Sequence, residues 1–188
     1  MFAIQRTLSH VSLIVVSSMD TDKVDRARRA KELKSIFESV MEDGHHLVGA
    51  ERATLFMVDE EAEELWSQVA TGTDGIIKVP LSKGCVGQSV TSGSIVNVSN
   101  AYDNPHFDRS IDGKTGFTTE NLLVVPIRSK DENKIIGAIQ LLNKRTKGGD
   151  AREEEESRDI VPFTPDDEKI VKVLASHVAA FIQIVEGS

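Results

Sequence analysis

The chain has one cysteine, one tryptophan, one tyrosine and five prolines in 188 residues. A lone cysteine, Cys85, excludes an intramolecular disulfide framework and a multi-cysteine zinc site. It fits a reducing compartment. Long apolar runs are missing too: the strongest, Val11-Ser12-Leu13-Ile14-Val15-Val16, has six residues, far short of the ~18 a membrane span needs. Basic charge is in deficit, with 22 Lys+Arg against 30 Asp+Glu and a formal charge of −8. That balance argues against a nucleic-acid surface and against a basic membrane patch. No G-x-x-x-x-G-K-[ST] phosphate loop occurs. What is present is an ordinary globular composition, 39% apolar, and enough length for one domain with a sizeable core and no staples.

Arg6 and Val11–Val16 imitate a signal peptide only weakly. Phe2, Ile4, Leu8, Val11 and Val15 recur at roughly helical spacing, so residues 1–19 are expected to form an N-terminal helical extension. From the abrupt start, a segment cut from a longer polypeptide is expected. Residues 20–188 are expected to form one domain with its flanking helices. Asp20-Thr21-Asp22 caps the first of these. Val24, Ala27, Ala30, Leu33, Ile36, Phe37, Val40 and Met41 give it one apolar face, and Gly44 is its expected stop. His45 and His46 beyond it read as a complement to the helix end, or as surface, rather than as metal ligands.

The period then changes to that of strands. Ala53–Val58 and Leu65–Ala70 flank the acidic turn Asp59–Glu64, and Ile76–Pro80 follows. Ser82–Val90 reads as a short helix entered through glycine, and Ile95–Val98 as another strand. Leu122–Ile127 and Ile135–Leu142 flank the charged turn Lys130–Asn133 as an antiparallel hairpin. A last helix opens at Thr164-Pro165-Asp166, with Asp167 completing a relative of the capping box. Ile170, Val173, Leu174, His177, Val178, Phe181 and Ile182 form its expected core stripe, with His177 as a hydrogen-bonded core histidine. The order of elements predicts an α+β layer architecture with terminal helices over an antiparallel sheet.

Candidate chemistry is sparse. Cys85 follows Gly84 at a helix start, where a thiolate is favoured, but no His or Asp stands at a telling spacing, so it reads as a small buried residue. Asp103, Asp108 and Asp112 lack the EF-hand pattern and read as loop caps. Asn97-Val98-Ser99 is a glycosylation sequon by pattern alone. The 22-residue loop 99–120 is more informative, because loops of that length are uncommon unless functional or disordered. Folded over one sheet face, it makes a lid with hydroxyls from Thr118 and Thr119. Gly84–Gly87 and Phe107–Ser110 are two helix starts able to hold a small anion through backbone N–H groups.

Asn143-Lys144, followed by Phe163-Thr164-Pro165-Asp166-Asp167-Glu168, meets all five positions of an N-K…F-x-x-x-D-E pattern. With Gly84-Cys85-Val86-Gly87, Asn104-Pro105-His106-Phe107, Asp112–Phe117 and Asn121–Ile127 in this order, the chain resembles a GAF domain over about residues 30–185. The resemblance is to the cyclic-nucleotide-binding type found in phosphodiesterases and adenylyl cyclases. It implies a GAF/PAS-like six-stranded antiparallel sheet, with terminal helices on one face and the lid loop on the other. Lys144 and Asp167 would form a bracing salt bridge, with Asn143, Phe163 and Glu168 as its structural companions. Thr54, Cys85, Val86, Phe107, Asp108, Asp112, Thr115, Thr119 and Gln140 fall at ligand-contact positions. Relatives often carry an aromatic at Asp108, an aromatic near Ala70 and a carboxylate at Gln140; this chain does not.

The resemblance implies a cytoplasmic regulatory sensor for a cyclic nucleotide, cAMP or cGMP, with no catalytic residue, metal or other cofactor of its own. Lid closure would pass through the terminal helices to an output domain such as a phosphodiesterase. A homodimer through those helices is expected, with neither a nucleic-acid polymer nor a membrane as partner. A module that binds no nucleotide and serves only dimerisation is the alternative. GAF-type methionine sulfoxide reductases use several cysteines and bilin-binding relatives a Cys-His pair, whereas Cys85 stands alone before Val86. The charge is no obstacle to a small anion. Asp59–Glu64 carries −5, and Asp150–Asp159, with six acids and two arginines, carries −4, which leaves about +1 for the rest.

Overall fold

The computed structural model describes residues 28–130, 134–146 and 159–186. The chain divides into two compact units, Met1–Ile36 and Phe37–Ser188. Of the first, residues 28–36 are described and are helical, with Arg28 and Glu32 paired one turn apart at 3.9 Å. The expected 1–19 helix and the expected cap at Asp20 lie outside the described residues, as do most of the 130–133 turn and the acidic stretch 150–158.

Helix α1 covers residues 28–48, and within the second unit it buries Phe37, Met41, His45 and Val48, a stripe of threes and fours. The expected stop at Gly44 is not observed. Gly44 is a buried interior residue that faces the C-terminal helix, where a Cβ would stand 2.9 Å from Leu174 Cδ1. The helix ends instead at Gly49, whose φ of 75° suits a residue without a Cβ. Ile36, expected on the apolar face, is 39% exposed.

Six strands form one antiparallel sheet: β1 Ala50–Asp59, β2 Glu64–Ala70, β3 Lys78–Pro80, β4 Val96–Val98, β5 Leu122–Arg128 and β6 Ile135–Lys144, in the spatial order β3-β2-β1-β6-β5-β4. Helix α2, Gly84–Ser92, follows β3; α3, Arg109–Thr115, lies in the long loop; α4, Pro165–Glu186, closes the domain. The acidic turn after β1 keeps its charges in water while Asp59 Oδ1 accepts from Ala62 N at 3.0 Å. Alternation along the strands sorts the core into two layers. Phe56, Leu122, Val124 and Ala138 pack with Val79, Cys85, Val86 and Val90 on the α2 side. Leu55, Leu123, Val125, Ile139 and Leu141 are buried on the opposite face, the side that α4 covers. Apolar faces on both sides of β5 explain its unbroken Leu122-Leu123-Val124-Val125 run.

The buried stripe of α4 is rotated from the expected one. Val171, Ala175, Val178, Ala179 and Ile182 are buried, whereas Val173 (56% exposed), Phe181 (37%) and His177 face outward. Alanines at 175 and 179 let the helix lie close to the sheet, and this outweighs the larger side chains beside them. His177 is therefore not a core histidine.

Candidate functional site

Between the α2 face of the sheet and the 99–120 loop lies a small, partly enclosed cleft of about 90 Å³. Its floor is Thr54 and Phe56 of β1, Leu122 of β5, and Gln140 and Leu142 of β6. Thr54 and Gln140 are direct cross-strand partners, so their polar groups sit side by side on this floor. Gly84, Cys85 and Val86, the first turn of α2, form one wall. Phe107, Asp108, Asp112 and Thr119 reach it from the loop. Eight of the nine expected ligand-contact residues thus line one cavity. The ninth, Thr115, ends α3, and its side chain lies outside the described part.

The two candidate anion seats differ. The α3 start is already capped, because Asp108 Oδ1 accepts from Ser110 N at 3.0 Å. The α2 start has no side-chain cap, so its first N–H groups lack an intrahelical partner where Gly84, Cys85 and Val86 meet the cleft. Gly84 enters this turn with φ 72°, a conformation that suits glycine. Burial pushes the Cys85 thiol up to about 11, which makes it a packing residue rather than a nucleophile.

The lid is fastened by its own polar groups. Asp112, 9% exposed, accepts from Thr119 N at 2.7 Å, Thr119 Oγ1 at 2.8 Å and Tyr102 Oη at 3.1 Å. The bond to Asp112 raises the Tyr102 phenol above its ordinary value and keeps it a donor. The Tyr102 ring packs on Phe107 with centroids 5.4 Å apart.

Sequence reasoning overlooked Arg52. Its Nη1 donates to Thr73 Oγ1 at 3.3 Å, its guanidinium lies 3.8 Å from the Phe117 ring centroid, and it lines the same cleft. The signal was available: Arg52 stands two residues before Thr54, and strand side chains repeat every second residue. Thr71 and Thr73 also line the cleft, but they follow β2 in irregular backbone, where no such period marks them.

The N-K…F-x-x-x-D-E residues lie outside the cleft, at the junction of β6 with α4. Lys144 Nζ donates to Asp167 Oδ2, with both side chains nearly buried. Asp167 also accepts from Thr164 N at 2.6 Å and Thr164 Oγ1 at 2.9 Å, and returns its own N–H to Thr164 Oγ1 at 3.3 Å. That exchange is a reciprocal helix cap. Burial works against the Asp167 charge, but the bonds from Lys144 and Thr164 outweigh it and hold the carboxyl below its ordinary value. Asn143, at φ 54°, donates to Glu51 Oε2 at 2.7 Å and to the Thr118 carbonyl at 2.8 Å, and accepts from Glu120 N at 2.8 Å. It ties the lid's base to the sheet. Asn97 Nδ2 reaches the Phe163 carbonyl at 3.1 Å and Glu168 Oε1 at 2.9 Å, while the Phe163 side chain is buried.

The family model of the GAF domain matches residues 32–182, and the chain belongs to the GAF family. In sequence it is similar to the probable 3',5'-cyclic phosphodiesterase pde-5 of Caenorhabditis elegans, 31% identical over 169 residues, covering 83% of this chain and 22% of that protein. The chain thus spans about a fifth of that relative's length. In fold it is similar to the GAF domain of an Acinetobacter phosphoenolpyruvate-protein phosphotransferase (TM-score 0.65, 17% identity, 87% of this chain and 94% of that one). It is also similar to the type II free methionine-R-sulfoxide reductase of Thermoplasma acidophilum (TM-score 0.63, 17% identity, 84% and 96%). Among the described residues no helix is long and apolar enough to cross a membrane.

Proposed function

We propose that the chain is a regulatory sensor domain that binds a cyclic nucleotide, cAMP or cGMP, and relays lid closure through α1 and α4 to an output domain such as a phosphodiesterase. The observation that carries the reading is the uncapped start of α2 opening into the cleft. A cyclic phosphate fits such a seat without a lysine. Arg52 adds a cation in the same cavity, and Thr54 and Gln140 offer a floor that can both donate and accept to a base edge. The phenyl rings of Phe107 and Phe117 line the cavity too, which answers the missing aromatics at Asp108 and Ala70. Likeness to a cyclic phosphodiesterase supports the ligand class. The reading places the domain in the cytoplasm, with neither a membrane nor a nucleic-acid polymer as partner.

Titration calorimetry with cAMP and cGMP is expected to give one saturable site. Absence of heat and of any thermal shift at millimolar nucleotide overturns the reading. Arg52→Ala is expected to weaken binding by roughly tenfold or more, the loss of a charged hydrogen bond costing ~1.5–3 kcal/mol.

A second reading, a homodimerisation module, rests on α4. Val173, His177, Phe181 and Ile184 form an outward stripe spaced four, four and three residues apart, and its apolar members are 56%, 37% and 64% exposed. Sedimentation as a monomer at high concentration would remove this reading and leave the first intact.

A further inference from the structure

We propose that Glu42, His45 and His46, at the end of α1, form a binding site for a divalent transition-metal ion of the zinc type. The site is remote in role from the cleft and does not rest on the cyclic-nucleotide reading. The sequence pointed away from it, because no third ligand stood out near the two histidines, which were expected just beyond a helix stop at Gly44. The helix continues instead, and Glu42 stands one turn before both rings. Its Oε2 lies 3.4 Å from His45 Nε2 and its Oε1 3.2 Å from His46 Nε2. One donor atom from each residue falls within 4.8 Å of the others. In a tetrahedral zinc site, with bonds of about 2.0–2.1 Å, neighbouring ligand atoms stand about 3.3 Å apart.

The setting of His45 supports the site. This ring is buried, 7% exposed, and its Nδ1 lies 2.9 Å from the carbonyl oxygen of Ala50. A carbonyl only accepts, so Nδ1 carries the proton. Nε2 is left turned toward the Glu42 carboxylate, 3.4 Å from Oε2. A metal ion there takes lone pairs from both Nε2 atoms and from the carboxylate, and the Ala50 carbonyl acts as the outer partner that fixes ring tautomer and orientation. Two imidazoles and a carboxylate suit zinc and its neighbours rather than magnesium or calcium, which prefer oxygen. Glu42 and His46 are exposed, with side chains 59% and 56% accessible, so an ion can enter and keep a coordination position for water. Bound, it would staple the last turn of α1 beside the start of β1.

The test titrates Zn²⁺ into chelator-treated full chain by calorimetry, with Co²⁺ visible absorption as a second readout. One saturable site per chain and a zinc-dependent rise in Tm are expected. Glu42→Gln and His46→Ala, both at exposed positions, should each weaken binding by at least about tenfold, the loss that even outer partners of a ligand can cause. His177→Ala should bind as wild type. Absence of saturable binding overturns the proposal. So does unchanged affinity in both Glu42→Gln and His46→Ala. A failure of cyclic-nucleotide binding leaves either result intact.

Discussion

Asp112 shows how a single side chain can hold a lid. It receives three hydrogen bonds inside the loop, so the loop is closed over the cleft by its own contacts. Asp112→Ala would leave the Thr119 N–H, the Thr119 hydroxyl and Tyr102 without their acceptor. A loss of about 1–3 kcal/mol is expected for an unsatisfied buried donor, read as faster hydrogen exchange at the Thr119 amide. Unchanged protection would show that Asp112 does not fasten the lid. The Lys144–Asp167 pair belongs to the same scale. Lys144→Met strands a nearly buried carboxylate, and about 3–5 kcal/mol of stability should be lost at neutral pH in urea unfolding. The folded-state pKa of Asp167 is depressed. Its contribution is therefore present above the unfolded value of ~3.9 and is lost as pH falls through the folded one. The deficit of Lys144→Met should accordingly shrink as pH falls below about 4 toward the depressed folded value, where the carboxyl takes up its proton. A constant deficit from pH 7 to pH 3 would assign the loss to packing. Lys144 and Asp167 stand 23 residues apart but are named by motif, whereas Arg52 carried no motif and only the structure brought it to the cleft, although it shares a two-residue period with Thr54.

Elements depend on close approaches that only a glycine or a small side chain allows. A Cβ at Gly87 would stand 2.5 Å from the Leu81 carbonyl oxygen, so Gly87→Ala must push α2 away from the turn after β3. A cost of about 1–3 kcal/mol is expected, together with weaker cyclic-nucleotide binding, because the uncapped α2 start moves with the helix. A Gly87→Ala chain as stable as wild type would contradict this packing. Strands β1, β2, β5 and β6 were legible from alternation and apolar runs, and the α4 start from its Thr164-Pro165-Asp166 signal. The end of α1 and the facing of α4 were not. Glycine usually stops a helix, yet Gly44 is kept inside one by Leu174 packed against it. Spacing identifies a stripe on α4 only to within one residue's rotation, and Ala175 and Ala179 decided which side met the sheet.

For the whole molecule, ligand binding and stability are linked. A nucleotide that binds only the folded domain should stabilise it by about 2.7 kcal/mol at a hundred times its Kd. The same titration with Asp112→Ala should show weaker binding, since the lid must then be ordered by the ligand. The sequence by itself determined the α+β class, the succession of strands and the GAF resemblance, because these rest on periodicity, turn chemistry and residues spaced along the chain. It also marked most of the cleft, since one strand period and one loop carry those residues. Tertiary structure alone decided three things. It spent Asp112 and Thr119 on each other, left α2 rather than α3 with an open start, and set Glu42 beside two histidines. Each depends on which polar group finds its partner first, and partners distant along the chain, or reached by an unforeseen helical turn, leave no local pattern to read.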